Sequence, residues 1–124
     1  MEEVAELALR FASGSPKPRH QEASEQRIAV CGLGSSEGQQ DVARSVRALG
    51  GDAIELSGDL ADVDVAPRLV EAAVSEFGGL DALVANAGVA SPGNICDLTV
   101  ADWDKMFAVN LRGHGFWPST ATRI

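Results

Sequence analysis

From Ile28 onward the chain alternates short apolar runs with amphipathic stretches, and this alternation limits its possible folds more than any other feature. The run IAVCGL, Ile28 to Leu33, is followed by Val42, Val46 and Leu49 at helical spacing, until Gly50-Gly51 stops the pattern. Ala53 to Leu56 then reads as a strand, and Pro67 to Phe77 as a helix that buries Leu69, Val70, Ala73, Val74 and Phe77. Gly78-Gly79 punctuates again, Leu80 to Ala85 forms a third strand, and Val100 to Leu111 a last helix. Thr99 to Asp102 has capping-box spacing ahead of that helix. Strands separated by helices imply an α/β fold with a parallel sheet. Right-handed crossovers then place helices on the sheet faces and all strand C-termini along one edge, where ligands of open α/β sheets bind.

Ahead of this repeat, Val4, Leu7, Ala8 and Phe11 follow one helical face, so Glu2 to Ala12 is expected to be an amphipathic helix. Ser13 to Gln26 is polar, contains Gly14, Pro16 and Pro18, and reads as a linker or insertion, leaving 27–124 as the nucleotide-binding unit. The 124 residues, 45% of them apolar, suit one modest core. A formal net charge of -8 with scattered cations argues against nucleic acid. An acidic surface also means that an anionic cofactor must be held by local backbone amides and hydrogen bonds. Cys31, Cys96, His20 and His114 share no metal-ligand spacing, so no metal site is expected, and both cysteines read as inert small side chains. No apolar run reaches the length of a membrane span, and the acidic start is unlike a signal peptide; the expected setting is cytoplasmic.

The segments that follow the strands are Gly32-Leu33-Gly34, Gly58-Asp59-Leu60 and Asn86-Ala87-Gly88. Small residues let the backbone approach a flat ligand, and a carboxylate can accept a hydrogen bond from its amine or hydroxyl groups. Each segment alone is more readily read as an ordinary strand-to-helix turn. Together GDLAD at Gly58 to Asp62, VANAG at Val84 to Gly88 and VNLRG at Val109 to Gly113, in this order, resemble the short-chain dehydrogenase/reductase family over about residues 27 to 115. The resemblance implies a partial Rossmann-like, doubly wound parallel sheet of about three strands. It also implies NAD or NADP as cofactor and hydride transfer to or from a small-molecule alcohol or carbonyl. Asp59 and Leu60 would border the adenine, Asn86, Ala87 and Gly88 would line the cofactor's central stretch, and Asn110 would be the catalytic residue, helping to hold a proton-relay water.

The departures from the family matter as much. The sequence has no tyrosine, and neither Lys17 nor Lys105 matches the lysine of the family's YxxxK pair, which supplies the general acid and base. The chain is therefore expected not to turn over alone, and the competing reading is a non-catalytic nucleotide-binding or assembly module. The family also places a G-x-x-x-G-x-G phosphate turn after its first strand, and two registers accommodate this chain. In one, Gly32 to Gly38 is that turn, with a carboxylate at Glu37 beside the phosphates. In the preferred one, Ile28 to Leu33 is the family's second strand, Glu2 to Ala12 its first helix, and the phosphate turn is not in this sequence. Gly32 then sits where the ribose is usually read, which leaves NAD and NADP undistinguished.

The family's strand order begins 3-2-1-4, so either register predicts a gap between two surviving strands. Unpaired backbone beside Ile28, Val30, Leu83 and Val84 would favour altered pairing, self-association or docking on a longer relative. Phe116-Trp117 beside Pro118 reads as a packing anchor.

Overall fold

The computed structural model of the chain describes residues 2–4, 6–11, 26–34, 36–91 and 93–115. Its strands are β1 (Glu2–Val4), β2 (Glu6–Phe11), β3 (Gln26–Gly32), β4 (Asp52–Ser57), β5 (Ala82–Val84) and β6 (Gly88–Ala90). Its helices are α1 (Glu37–Ala48), α2 (Val65–Phe77) and α3 (Val100–Phe107), the last continuing as a π-helical turn over Ala108–Gly113. A 3-10 turn spans Ile95–Asp97.

β3 is the strand around which the rest packs, because Ile28, Ala29, Val30 and Cys31 are all buried and both of its faces are covered. Ala29 packs with Ala73 and Phe77 of α2, and Cys31 joins Leu60, Leu69, Val70, Val89 and Val109 in the main core cluster. Ile28 and Val30 point to the opposite face by the period of two, the side on which α1 lies against β3 and β4. Helices thus cover both faces of the sheet, as the doubly wound reading anticipates.

The helix ends are closed by local chemistry. Ser36 caps α1 in a reciprocal box with Gln39. Gly78, in the left-handed region at φ 79°, ends α2 by donating its N–H to Val74 O at 2.6 Å. Thr99 and Asp102 form the anticipated capping box on α3. Two hydrogen bonds from Thr99, the larger from its hydroxyl, hold the Asp102 carboxyl below its ordinary value of 3.8.

The N-terminal segment departs from the helix expected over Glu2 to Ala12. It forms two strands. The same residues that fit a helical stripe also contain the alternation Leu7, Leu9, Phe11 against Glu6, Ala8, Arg10, and in so short a window the two periods compete. Tertiary pairing decides. The sheet order is β4-β3-β2-β5, and β2 runs antiparallel to both neighbours, with Glu6 opposite Cys31, Ala8 opposite Ala29 and Leu83, and Leu7 opposite Val84. The gap predicted in the sheet is therefore filled by altered pairing within the chain, and the edges at Ile28, Val30, Leu83 and Val84 that motivated self-association are closed. Because β3 pairs directly and in parallel with β4, the filled slot lies between β3 and β5. That position matches the preferred register, in which the family's first strand is the missing one.

The linker expected over Ser13 to Gln26 lies outside the described residues up to position 25, while Gln26 begins β3. The anchor proposed at Phe116-Trp117 also lies outside them. No described helix is long and apolar enough to cross a membrane.

Candidate nucleotide edge

The C-termini of β3, β4 and β5 share one edge of the sheet, and the segments that follow them meet there. After β4, Gly58 donates its N–H to Gly32 O at 2.9 Å, and Val65 leaves no room for a side chain at this glycine: a Cβ would lie 2.4 Å from Val65 Cγ1. The chain then turns at Asp59, whose Oδ1 accepts from Ala61 N at 2.9 Å, and buries Leu60 in the core. Asp59 itself stays exposed. After β5, Asn86 is exposed, Ala87 packs against the core cluster, and Gly88 opens β6.

The π-helical turn clamps these two segments. Asn110 Nδ2 donates to Val89 O at 2.9 Å while Asn110 Oδ1 accepts from Val89 N at 2.8 Å. A β-residue directs its N–H and C=O to the same side, so both polar backbone groups of Val89 face the π-turn. Four residues on, His114 Nε2 lies 2.6 Å from Ala87 O. Arg112 Nη2 donates to Ala61 O at 2.7 Å, and Gly113 packs so closely on the first segment that a Cβ would lie 2.8 Å from Leu60 O. A π-turn rotates successive side chains differently from an α-helix, which lets residues 110, 112 and 114 reach three backbone sites in two loops.

Leu33, Asp59, Leu60, Ala87, Val89, Lys105 and Val109 line a crevice of about 10 Å³, room for about one water. A wider groove of about 1070 Å³ runs beside it along α3, sharing Asp59 and Lys105 and walled by Trp103 and Phe107, whose rings stack with centroids 4.5 Å apart. Together the crevice and the groove offer apolar surface, the carboxylates of Asp59 and Asp104, and the cations of Lys105 and Arg112.

The turn after β3 is built differently. Gln39 is 1% exposed, and its Nε2 donates to Val30 O at 3.2 Å and to Leu56 O at 3.0 Å. Its Oε1 accepts from Ser36 N, and the carboxamide lies about where a Cβ on Gly32 would intrude, at 3.0 Å. The small residue at 32 makes room for Gln39 rather than for a ligand, and the α1 amide N–H of Gln39 is already taken by Ser36. Together with the sheet order, this packing agrees with the preferred register.

The structure brings Asp59, Leu60, Ala87, Gly88 and Asn110 into one neighbourhood and leaves Asn86 exposed beside them. Sequence reading missed Gln39, Arg112 and His114. The first had a signal, since Ser36 and Gln39 stand at capping-box spacing; the other two act through a π-turn that no periodicity announces. Cys31 is buried as expected of a small apolar side chain, but Cys96 is exposed.

The family whose description reads "short chain dehydrogenase" matches residues 20–122. The chain belongs to the short-chain dehydrogenase family. Elsinochrome reductase 1 of Elsinoe fawcettii is 40% identical over 89 residues, covering 72% of this chain and 33% of that protein. Versicolorin reductase stcU of Emericella nidulans is 35% identical over 97 residues, covering 78% and 37%. Among solved structures, a short chain dehydrogenase of Burkholderia cenocepacia, described as a complex with NADP, superposes with a TM-score of 0.71 at 37% identity, over 77% of this chain and 39% of that one. This short-chain dehydrogenase chain spans well under half the length of those relatives, and residues 1–19, which contain β1 and β2, precede the family match.

Proposed function

We propose that this short-chain dehydrogenase chain forms the adenosine-side part of an NAD(P)-dependent oxidoreductase, which moves a hydride between the nicotinamide and a small alcohol or carbonyl compound. The supporting observation is the convergence of the Asp59-Leu60 and Asn86-Ala87-Gly88 segments at one sheet edge, held by side chains of the π-turn and of the His114 that follows it. The bound cofactor would supply the hydride chemistry; the residues of this chain bind and orient.

The residues present fit the adenosine end of such a cofactor. Leu60 and Ala87 present an apolar floor, and Asp59 stands exposed at its rim for a hydrogen bond from an amine. The crevice itself is too small for a ring, so a base would lie across its mouth. Asn110 is a positioning residue in this reading: its amide is engaged with both polar groups of Val89 and fixes the strand that follows the Asn86 turn. With no tyrosine in the sequence, the chain alone does not catalyse.

Adenosine titrated into the chain and followed by amide NMR should shift the signals of Leu60, Ala87 and Val89 saturably, and Asp59→Ala should weaken the effect. The absence of any saturable shift would sink this reading. NADPH mixed with the chain and a carbonyl compound should show no consumption.

A further inference from the structure

In a parallel α/β sheet each strand delivers the chain to the ligand edge. From there a turn leads into a helix whose first N–H groups receive phosphate. β3 and β4 follow this rule in direction. β2 reverses it. Its antiparallel course places Glu6 beside Cys31 and Leu7 beside Val84, at the C-terminal ends of its neighbours, so here the chain enters the sheet from the ligand edge instead of leaving toward a helix. Just before β2, β1 pairs with β6, Glu2 opposite Ala90 and Val4 opposite Gly88, and so runs along the strand that follows the Asn86 turn. The segment arriving there carries Glu2, Glu3 and Glu6, and both strands precede the region matched by the family. Among the described residues no helix starts from the slot between β3 and β5, and the helix after β3 has its own cap engaged.

We infer that β1 and β2 stand in for the strand and turn that hold the pyrophosphate, so that the edge recognises adenosine and gains nothing from the phosphates of a dinucleotide. This rests on the nucleotide-edge reading proposed above. The disagreement is confined to one position in the sheet: the adenosine-side residues fit the cofactor, and the neighbouring position, where backbone donors should converge on its phosphates, is taken by a strand running the wrong way.

Two measurements on the full chain test this. The first compares the dissociation constants of adenosine, NADH and NADPH by amide NMR. The inference expects the three to agree within about tenfold, a difference of ~1.4 kcal/mol; either dinucleotide binding more than about tenfold tighter than adenosine overturns it. The second locks β2 in place. Register partners in an antiparallel pair have Cα atoms ~4.5–5.5 Å apart, inside the ~4.4–6.8 Å range of a disulfide. In a Cys96→Ser background, Glu6→Cys should therefore oxidise onto Cys31, and Leu7→Cys with Val84→Cys should crosslink in the same way with Cys31 replaced by Ser. If neither crosslink forms, β2 does not occupy the slot and the inference fails. If a crosslink forms and none of the three ligands binds, the strand substitution stands and the nucleotide-edge reading is the one that falls.

Discussion

Two regions of this short-chain dehydrogenase meet at the same sheet edge and are held by different means. The π-turn at Ala108–Gly113 grips its neighbours with side chains: the Asn110 amide, the Arg112 guanidinium and the following His114 each find a backbone group. The N-terminal strands are described by backbone pairing, β2 to two neighbours and β1 to one. Side-chain clamps need particular residues at particular positions, and they lie inside the family match. A sheet slot needs only an extended chain of suitable length with free N–H and C=O groups, and it is filled from outside that match. The contrast shows that pairing is far less demanding of sequence than a clamp.

The sharpest way to break this comparison is to deny β2 its pairing. Ala8 lies opposite Ala29 on one side and Leu83 on the other, so Ala8→Pro removes an N–H flanked by strands on both sides. It should cost about 3 kcal/mol through the lost bond and the stranded carbonyl, a fall of roughly 10 °C in Tm. Amide exchange at Ala29 and Leu83 should accelerate with it. An unchanged melt would mean that β2 contributes little.

Next in size is the clamp. Gly113→Ala would place a Cβ 2.8 Å from Leu60 O, a backbone atom that cannot swing aside. The expected cost is about 2 kcal/mol from forced separation of the π-turn and the Asp59 segment, read as a lower denaturant midpoint. Exchange at Ala61 should rise while exchange across β2 and β3 stays unchanged. Loss of protection in both regions together would show that the two are one cooperative unit.

The smallest effect sharpens the start of the clamp helix. The Asp102 carboxyl is held below 3.8 by Thr99, so its contribution to stability is present above that value and disappears as pH falls through its lowered folded-state value. Acidification below 3.8 should therefore fray the first turn of α3, visible as faster exchange at Asp102 and Trp103, and Asp102→Asn should remove that pH dependence.

Much of the sheet and its helices was legible because local signals agreed with the global arrangement. Ile28 to Gly32 is apolar on both faces, Gly50-Gly51 and Gly78-Gly79 stop helices, and Thr99 with Asp102 starts one. The N-terminal strand was not legible. Leu7, Leu9 and Phe11 fit a period of two as well as Val4, Leu7, Ala8 and Phe11 fit a helix, and what chose between them was a vacancy between two partners far apart in sequence, Ala29 and Leu83, which no local window contains. At the edge, the loops could be found from GDLAD and VANAG, but not what holds them. Residues 110, 112 and 114 align with their targets only once the helix widens into a π-turn, and Gln39, besides closing the capping box with Ser36, joins the carbonyls of Val30 and Leu56.

The pairing of β2 also sets an order of events. β3, α1 and β4 are consecutive and can assemble from neighbours in the chain, whereas β2 joins β3 to a strand made of Ala82–Val84. Contacts between such distant segments form only after a long loop has closed, and topologies that depend on them fold slowly. On a ribosome, Glu6–Phe11 exists long before its second partner does. During that interval the edge it will turn toward Ala82–Val84 is open, and the speed with which that strand arrives decides whether β2 completes this sheet or adds itself to another.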